Sequence, residues 1–215
     1  MRLHAVGGLC NRLRAILSYL AAHDTLTVVW EPDEYVSHGR FSDVFGPLDG
    51  VTFVDSGPWD VEDFAPCKAA PADWEDAYAE LRPFNERSRT PPRVSYVAIH
   101  VRRTDHVPDV GTHGGKMTRL EEFLGWTRQW PELPVWCATD NAETRAKLVA
   151  VLGDRFRGGV DPGGREEQAL TDHRRNGRLE DAVVDLYACV CATHFKGSYA
   201  SSFTDTIEIL RRLRT

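Results

Sequence analysis

Lysine is scarce in this chain: of its 26 basic residues only 4 are lysine, which leaves 22 arginines. A guanidinium fork suits bidentate contact with phosphate or carboxylate, where an ammonium offers a point charge; surface solubility and a GC-rich coding sequence explain the same bias. An excess of positive charge is also missing. The formal net charge is −6, which argues against a protein built around nucleic acid. No apolar run approaches the length of a membrane span, and Arg12 and Arg14 interrupt what would otherwise read as a signal-peptide core. Cysteines form no tight framework. The five of them (Cys10, Cys67, Cys137, Cys189, Cys191) are odd in number and lie mostly in apolar runs, so they read as reduced thiols in a cytoplasmic protein. Cys189, Cys191 and His194 have poor zinc spacing and read as core. The acidic run Asp60 to Asp63 falls in a connector and reads as no metal site. Neither G-x-x-x-x-G-K-[ST] nor G-x-G-x-x-G occurs, which removes support for ATP-type phosphoryl transfer. Internal repeats and low-complexity tracts are absent.

What is present is alternation of strand and helix. Met1 to Val6 reads as a strand, Gly7-Gly8 as a turn, and Asn11 as the N-cap of a helix carrying Leu13, Ile16, Leu17 and Leu20. Leu26 to Trp30 and Val51 to Val54 are short buried strands, as in a parallel sheet covered on both faces. Residues 56–93 hold six prolines and one short helical stretch near Trp74 to Leu81, and read as a connector. The second half restarts at Val94 to Val101. Helices follow at Arg119 to Trp130, Ala142 to Leu152 (stopped by Gly153) and Leu179 to Val190, with strands at Val135 to Ala138 and His194 to Gly197. Gly158 to Gly177 reads as a loop. A last helix starts near Ser201, with Ser202 and Asp205 at capping-box spacing. The architecture expected is α/β with two small Rossmann-like lobes and a cleft between them: residues 1–90 with the Pro-rich connector, and residues 91–215.

Ligands of such sheets sit at the carboxyl ends of strands, and three chemically loaded segments fall there. In His100-Val101-Arg102-Arg103-Thr104-Asp105, strand alternation points His100 and Arg102 one way and Arg103 the other. Two guanidiniums at a strand end neutralise a diphosphate, or pair with surface carboxylates; Asp105 orients an arginine or a sugar hydroxyl. In Gly197-Ser198-Tyr199-Ala200-Ser201-Ser202, small hydroxyl residues at a helix start offer N–H groups to an anion, although one serine suffices for a plain cap. Gly7-Gly8-Leu9-Cys10-Asn11-Arg12 is a ligand loop or a tight strand-to-helix turn. Asp185, at the edge of an apolar helix stripe, accepts from a guanine edge or pairs with Arg178.

The H-x-R-R-x-D segment resembles the signature of the α-1,6-, α-1,2- and protein O-fucosyltransferase superfamily. The likeness is closest to the α-1,6 branch with its bacterial nodulation fucosyltransferases. The opening Gly7 to Arg12, Ala138-Thr139-Asp140, and Asp181 to Ser202 fit in order. The resemblance implies a GT-B-type fold, a metal-independent transferase without cofactor, and inversion at the sugar's anomeric carbon. Its partners would be GDP-fucose as donor and a hydroxyl acceptor that is a glycan, peptide or small natural product. It also implies donor contacts at Gly8, Asn11, His100, Arg102, Arg103, Thr139, Asp185, Ser198, Ser201 and Ser202: His100 and Asp185 on guanine, Arg102 on the diphosphate, Arg103 supporting the motif, the serines cradling phosphate. Asp105 would touch fucose. Arg102, Asp105, His106 and Asp109 form the catalytic set, with the general base among the last three. The sequence departs from the family at His106, where lysine is common, and at Cys10, where glycine is. A GDP-sugar-binding module without catalysis, or a transferase of another GDP-sugar, are the alternatives.

Overall fold

Two separate parallel sheets organise the chain. The computed structural model describes residues 1–32, 39–84, 94–103, 119–158 and 178–214. The first sheet has strand order β3-β2-β1-β4, formed by β1 (Arg2–Ala5), β2 (Leu26–Val29), β3 (Val51–Val54) and β4 (Val61–Asp63). The second has order β6-β5-β7, formed by β5 (Val97–Val101), β6 (Val135–Thr139) and β7 (His194–Gly197). Every pairing is parallel, so helices must carry the crossovers. These are α1 (Leu9–Ala22), α2 (Phe41–Val44), α3 (Leu120–Thr127), α4 (Ala142–Leu152), α5 (Leu179–Cys191) and α6 (Ser202–Arg212), with a 3-10 helix over Trp74–Glu80. The expected boundary near residue 90 and most of the Gly158 to Gly177 loop lie outside the described residues.

Strand alternation divides the second sheet's faces. Val97, Ile99, Val101, Val135 and Cys137 pack against Phe123 of α3 and Leu148 of α4. Ala98, Ala138, Trp136 and Phe195 face a second core with Val183, Leu186 and Val190 of α5 and Ile207 and Leu210 of α6. That core runs on into the first half through Leu13, Ile16 and Leu17 of α1, Tyr78 and Trp30. Helix α1 packs on α6 and on the 3-10 helix, so apolar burial, the dominant favourable term in folding, joins the two sheets.

Three expectations are corrected. Helix α1 begins at Leu9 with Gly8 as its N-cap, so Asn11 lies inside the first turn, where its Oδ1 accepts from Arg14 Nη2 at 3.0 Å. Ser201, not Ser202, is the N-cap of α6, and no side-chain capping bond forms there. The acidic run Asp60 to Asp63 contains strand β4, paired with β1. Asp63 is spent locally, accepting from the Phe64 and Ala65 N–H groups at 2.8 Å and from Tyr19 Oη at 3.0 Å.

The arginine bias has a structural component. Arg155 donates to the carbonyls of Thr127, Trp130 and Leu133 at 2.8–3.1 Å, closing the end of α3. Arg211 donates to Cys189, Val190 and Ala192 carbonyls at the end of α5. A helix C-terminus leaves its last carbonyls without intrahelical partners, and a five-donor fork satisfies several at once.

Candidate functional site

The carboxyl ends of β1, β5 and β7 carry the three expected segments. The turn after β1 is built on Gly7, whose φ of +85° is a region side chains disfavour. Arg12 locks it. Only 3% exposed, its Nε donates to Gly7 O and its Nη1 to Glu31 O, both at 2.8 Å, with the guanidinium 4.8 Å from the Trp30 ring centroid.

His100 and Gly197 are partners across the β5–β7 ladder. His100 Nδ1 is hydrogen-bonded to Thr204 Oγ1 at 2.9 Å, and its ring lies 4.7 Å from that of Phe203. Thr204 occupies the space a side chain on Gly197 would need: a Cβ there would meet Thr204 Cγ2 at 2.2 Å and Oγ1 at 2.5 Å. The missing side chain of Gly197 therefore seats the first turn of α6 on the sheet, against the buried His100 (6% exposed).

Ser198 links the two strand ends. Its hydroxyl donates to His100 O at 3.1 Å and accepts from Arg102 N at 2.9 Å. The bond is to the Arg102 backbone, so it holds the strand end in place whatever the side chain does. Two residues on, Ala200 takes a φ of +52°, the only non-glycine residue with positive φ among the described residues, and such residues carry of order 1 kcal/mol of strain or more. The turn delivers Ser201 to the N-terminus of α6 with its hydroxyl buried, 1% exposed, and without a hydrogen-bond partner. A buried hydroxyl normally finds a partner. Ser202, half-buried, opens the helix.

Arg103 turns to the other side. Its N–H donates to Asp140 Oδ1 at 2.9 Å. Burial pushes its guanidinium below the ordinary arginine range, opposed by the nearby Glu121 and Asp140 carboxylates. Thr139 donates to Val101 O at 2.7 Å, tying β6 to β5. Asp185, 8% exposed, accepts from Trp136 Nε1 at 3.0 Å. Gly8 is buried at the head of α1, and Asn11 is half-buried. Asp105, His106 and Asp109 lie outside the described residues. No group of three or more His, Cys, Asp or Glu able to hold a metal occurs among the described residues, and none of the helices they form is long and apolar enough to cross a membrane. Burial drives the Cys137 and Cys189 thiols well above their ordinary range, as for packed rather than reactive cysteines.

Sequence reasoning missed Thr204, Trp136 and Ala200. A half-buried tryptophan needs a partner for its indole N–H, which was a signal for Trp136; Thr204 and Ala200 gave none.

Two parallel α/β halves with their loaded loops at strand ends define a GT-B-like fold. No protein-family profile matches the chain, and no curated protein matches it in sequence. Among solved structures, POFUT1, a protein O-fucosyltransferase, in complex with GDP aligns over 99% of this chain and 94% of its own at a TM-score of 0.54 and 11% identity. A second GDP complex of POFUT1 aligns over 98% of this chain and 93% of its own, at a TM-score of 0.49 and 13% identity. POFUT1 with GDP-fucose matches 75% of this chain and 51% of its own, at a TM-score of 0.41 and 11% identity. The fold is thus similar to that of a fucosyltransferase, on the strength of the first alignment.

Proposed function

We propose that this chain is an inverting, metal-independent glycosyltransferase that moves fucose from GDP-fucose to a hydroxyl acceptor, residues 1–90 forming the acceptor side and 91–215 the donor side. One observation carries the reading. The buried Ser201 hydroxyl has no partner, and it sits at a helix N-terminus reached through a strained turn that is bonded to the Arg102 backbone. The ligand such a group fits is an anion: the helix end supplies free N–H groups and a partial positive charge, and Arg102 supplies a full one. The fold's likeness to a protein solved with GDP supports a nucleoside diphosphate as that anion.

In the reaction, an acceptor oxygen bonds to C1 of the sugar as the bond from C1 to the diphosphate breaks. The acceptor proton passes to a base among Asp105, His106 and Asp109. GDP leaves with the electron pair, its charge stabilised by Arg102, Ser201, Ser202 and the α6 N-terminus. His100 and Asp185 hold the guanine, Gly8 and Asn11 line the loop opposite, and Thr139 and Arg103 support the strand ends.

Ser201→Ala tests this. An N-cap serine replaced by alanine ordinarily costs about 1 kcal/mol, but this hydroxyl caps nothing. The variant should keep wild-type stability in urea, while GDP affinity by calorimetry falls about tenfold, the loss of one hydrogen bond to a charged group. In the same series Arg102→Ala should lower GDP release from GDP-fucose about hundredfold. Undiminished GDP affinity in Ser201→Ala, or a wild type that ignores GDP, ends the reading.

A further inference from the structure

The first sheet carries a second convergence of polar and aromatic side chains, centred on His4. Alternation along β1 sets His4 on the sheet face away from Leu3 and Ala5, which belong to the core. The residue is 8% exposed. Its Nδ1 lies 3.0 Å from Glu62 Oε2, across the β1–β4 ladder. A carboxylate only accepts, so the proton of the neutral ring sits on Nδ1 and Nε2 presents a lone pair. Nε2 stands 3.7 Å from Glu31 Oε2, beyond hydrogen-bond range. Trp59 lies over the imidazole, with ring centroids 4.5 Å apart, and is itself 46% exposed. The Glu31 and Glu62 side chains are half-exposed, and among the described residues neither pairs with a lysine or arginine. Glu31 is fixed through its main chain, whose carbonyl accepts from Arg12 Nη1 at 2.8 Å. An indole, two carboxylates and an unbonded ring nitrogen thus meet at the surface around one buried imidazole.

We propose that Trp59, Glu31 and His4 Nε2 form a binding site for a primary ammonium group, carried by a ligand that docks on the first half of the molecule. This goes beyond the glycosyltransferase reading and stands without it. An ammonium is a compact charge with three donors and no acceptor. His4 Nε2 and Glu31 Oε2 are two acceptors on different side chains, close enough for one such group to serve both. A guanidinium fork instead matches the two oxygens of a single carboxylate. The indole face attracts a cation through its ring quadrupole, tryptophan most strongly of the aromatic residues. Glu62 is a positioning residue here: it touches the ligand only through the tautomer it imposes on His4. The wider field agrees in sign. Residues 1–90 hold 8 basic and 15 acidic residues, a balance of −7, whereas residues 91–215 hold 18 and 17, a balance of +1. All of the chain's net negative charge therefore lies in the half that carries the cluster, and such a field raises the encounter rate of a cationic ligand.

The test is calorimetric titration of the full chain with N-acetylated trilysine amide, with the same peptide acetylated on every side-chain amine, and with glucosamine. Wild type should bind the charged peptide about tenfold or more tighter than the acetylated one. Trp59→Ala and Glu31→Gln should each weaken that binding about tenfold. Glu31→Gln keeps the side chain's shape and the main-chain bond to Arg12, so its urea midpoint should match wild type. Asp49→Asn removes one exposed carboxylate from the same half and should change affinity by less than about threefold. Glucosamine binding with the same dependence on Trp59 and Glu31 supports the site and shows that the amine need not belong to a peptide. Equal binding of the two peptides overturns the proposal. So does a Glu31→Gln variant that behaves like Asp49→Asn, since the attraction is then only the charge of the whole half. GDP is titrated separately: a wild type that takes the lysine peptide and ignores GDP ends the function reading and leaves this one in place.

Discussion

Gly197→Ala is the substitution that probes the site's construction most directly. Alanine's one extra carbon would lie 2.2, 2.5 and 2.8 Å from Cγ2, Oγ1 and Cβ of Thr204. Carbon atoms in contact settle near 3.5 Å or beyond, so about 1.3 Å must be found. Thr204 cannot turn away. It is 6% exposed, sits in the first turn of α6 and is bonded to His100. The displacement therefore falls on the helix start, and the overpacking should cost about 3 kcal/mol in urea unfolding. A shift of about 1 Å at a reacting site lowers rates on the order of hundredfold, so turnover should fall further than stability alone explains. Two companions separate clash from generic glycine effects. Gly125, in α3, has nothing within 4 Å of an added Cβ; Gly125→Ala should be neutral or stabilising by up to about 1 kcal/mol. In Gly197→Ala with Thr204→Ala, the two nearest atoms are gone, and the double variant should lose less than the sum of the singles by about 1 kcal/mol or more. Additive losses, or a Gly197→Ala single within about 0.5 kcal/mol of wild type, would refute the steric argument.

Two further outcomes follow from buried groups. Arg12→Lys keeps the charge but not the fork that reaches Gly7 O and Glu31 O together; it should cost about 2–3 kcal/mol, read as a lower urea midpoint, and a wild-type midpoint would show the clamp to be idle. Burial raises the Tyr78 and Tyr187 phenols well above their ordinary 10.0. A raised folded-state value means stability that is complete below pH 10.0 and lost as pH climbs past it, about 1.4 kcal/mol per pH unit for each phenol. The Tyr187 hydroxyl has no partner, so Tyr187→Phe should match wild type at pH 7 and exceed it at pH 11. Identical alkaline unfolding of the two proteins would contradict the burial argument.

Local pattern exposed what local physics determines. Strands β2, β5 and β6 were legible because a parallel strand buried on both faces reads as a largely apolar run. Strand alternation set His100 and Arg102 against Arg103 in the sequence; within β5 itself, Val101 packs with Phe123 and Leu148 while His100 bonds Thr204 of α6. Strand β4 was hidden. Val61, Glu62 and Asp63 have no apolar pattern, and their strand character comes from the ladder with β1, some 58 residues away in the chain. The head of α1 was misplaced because Asn11 looks like a cap, whereas the chain already turns at Gly7 and the Asn11 side chain serves Arg14. Arginine abundance pointed toward phosphate, yet Arg12, Arg155 and Arg211 hold main-chain carbonyls. A guanidinium serves a phosphate and a helix end through the same donors, and composition does not separate the two uses.

The turn from Gly197 to Ser202 is fixed from both halves of the molecule, which bears on how a bound ligand would be felt. On the second sheet it is held by the Ser198 bonds to His100 and Arg102 and by Thr204 against Gly197. On the other side α6 packs on α1 and on the 3-10 helix that carries Tyr78. The same α1 starts at the clamped Gly7–Gly8 turn. The Gly7–Gly8 turn and the Gly197 to Ser202 turn, one from each sheet, are therefore joined by a pair of packed helices and one continuous core. Interiors packed this closely transmit small shifts rather than absorb them. A diphosphate drawn onto the α6 N-terminus would therefore load the Gly7–Gly8 turn as well, and disturbing Arg12 should weaken GDP binding even though Arg12 spends its donors on carbonyls.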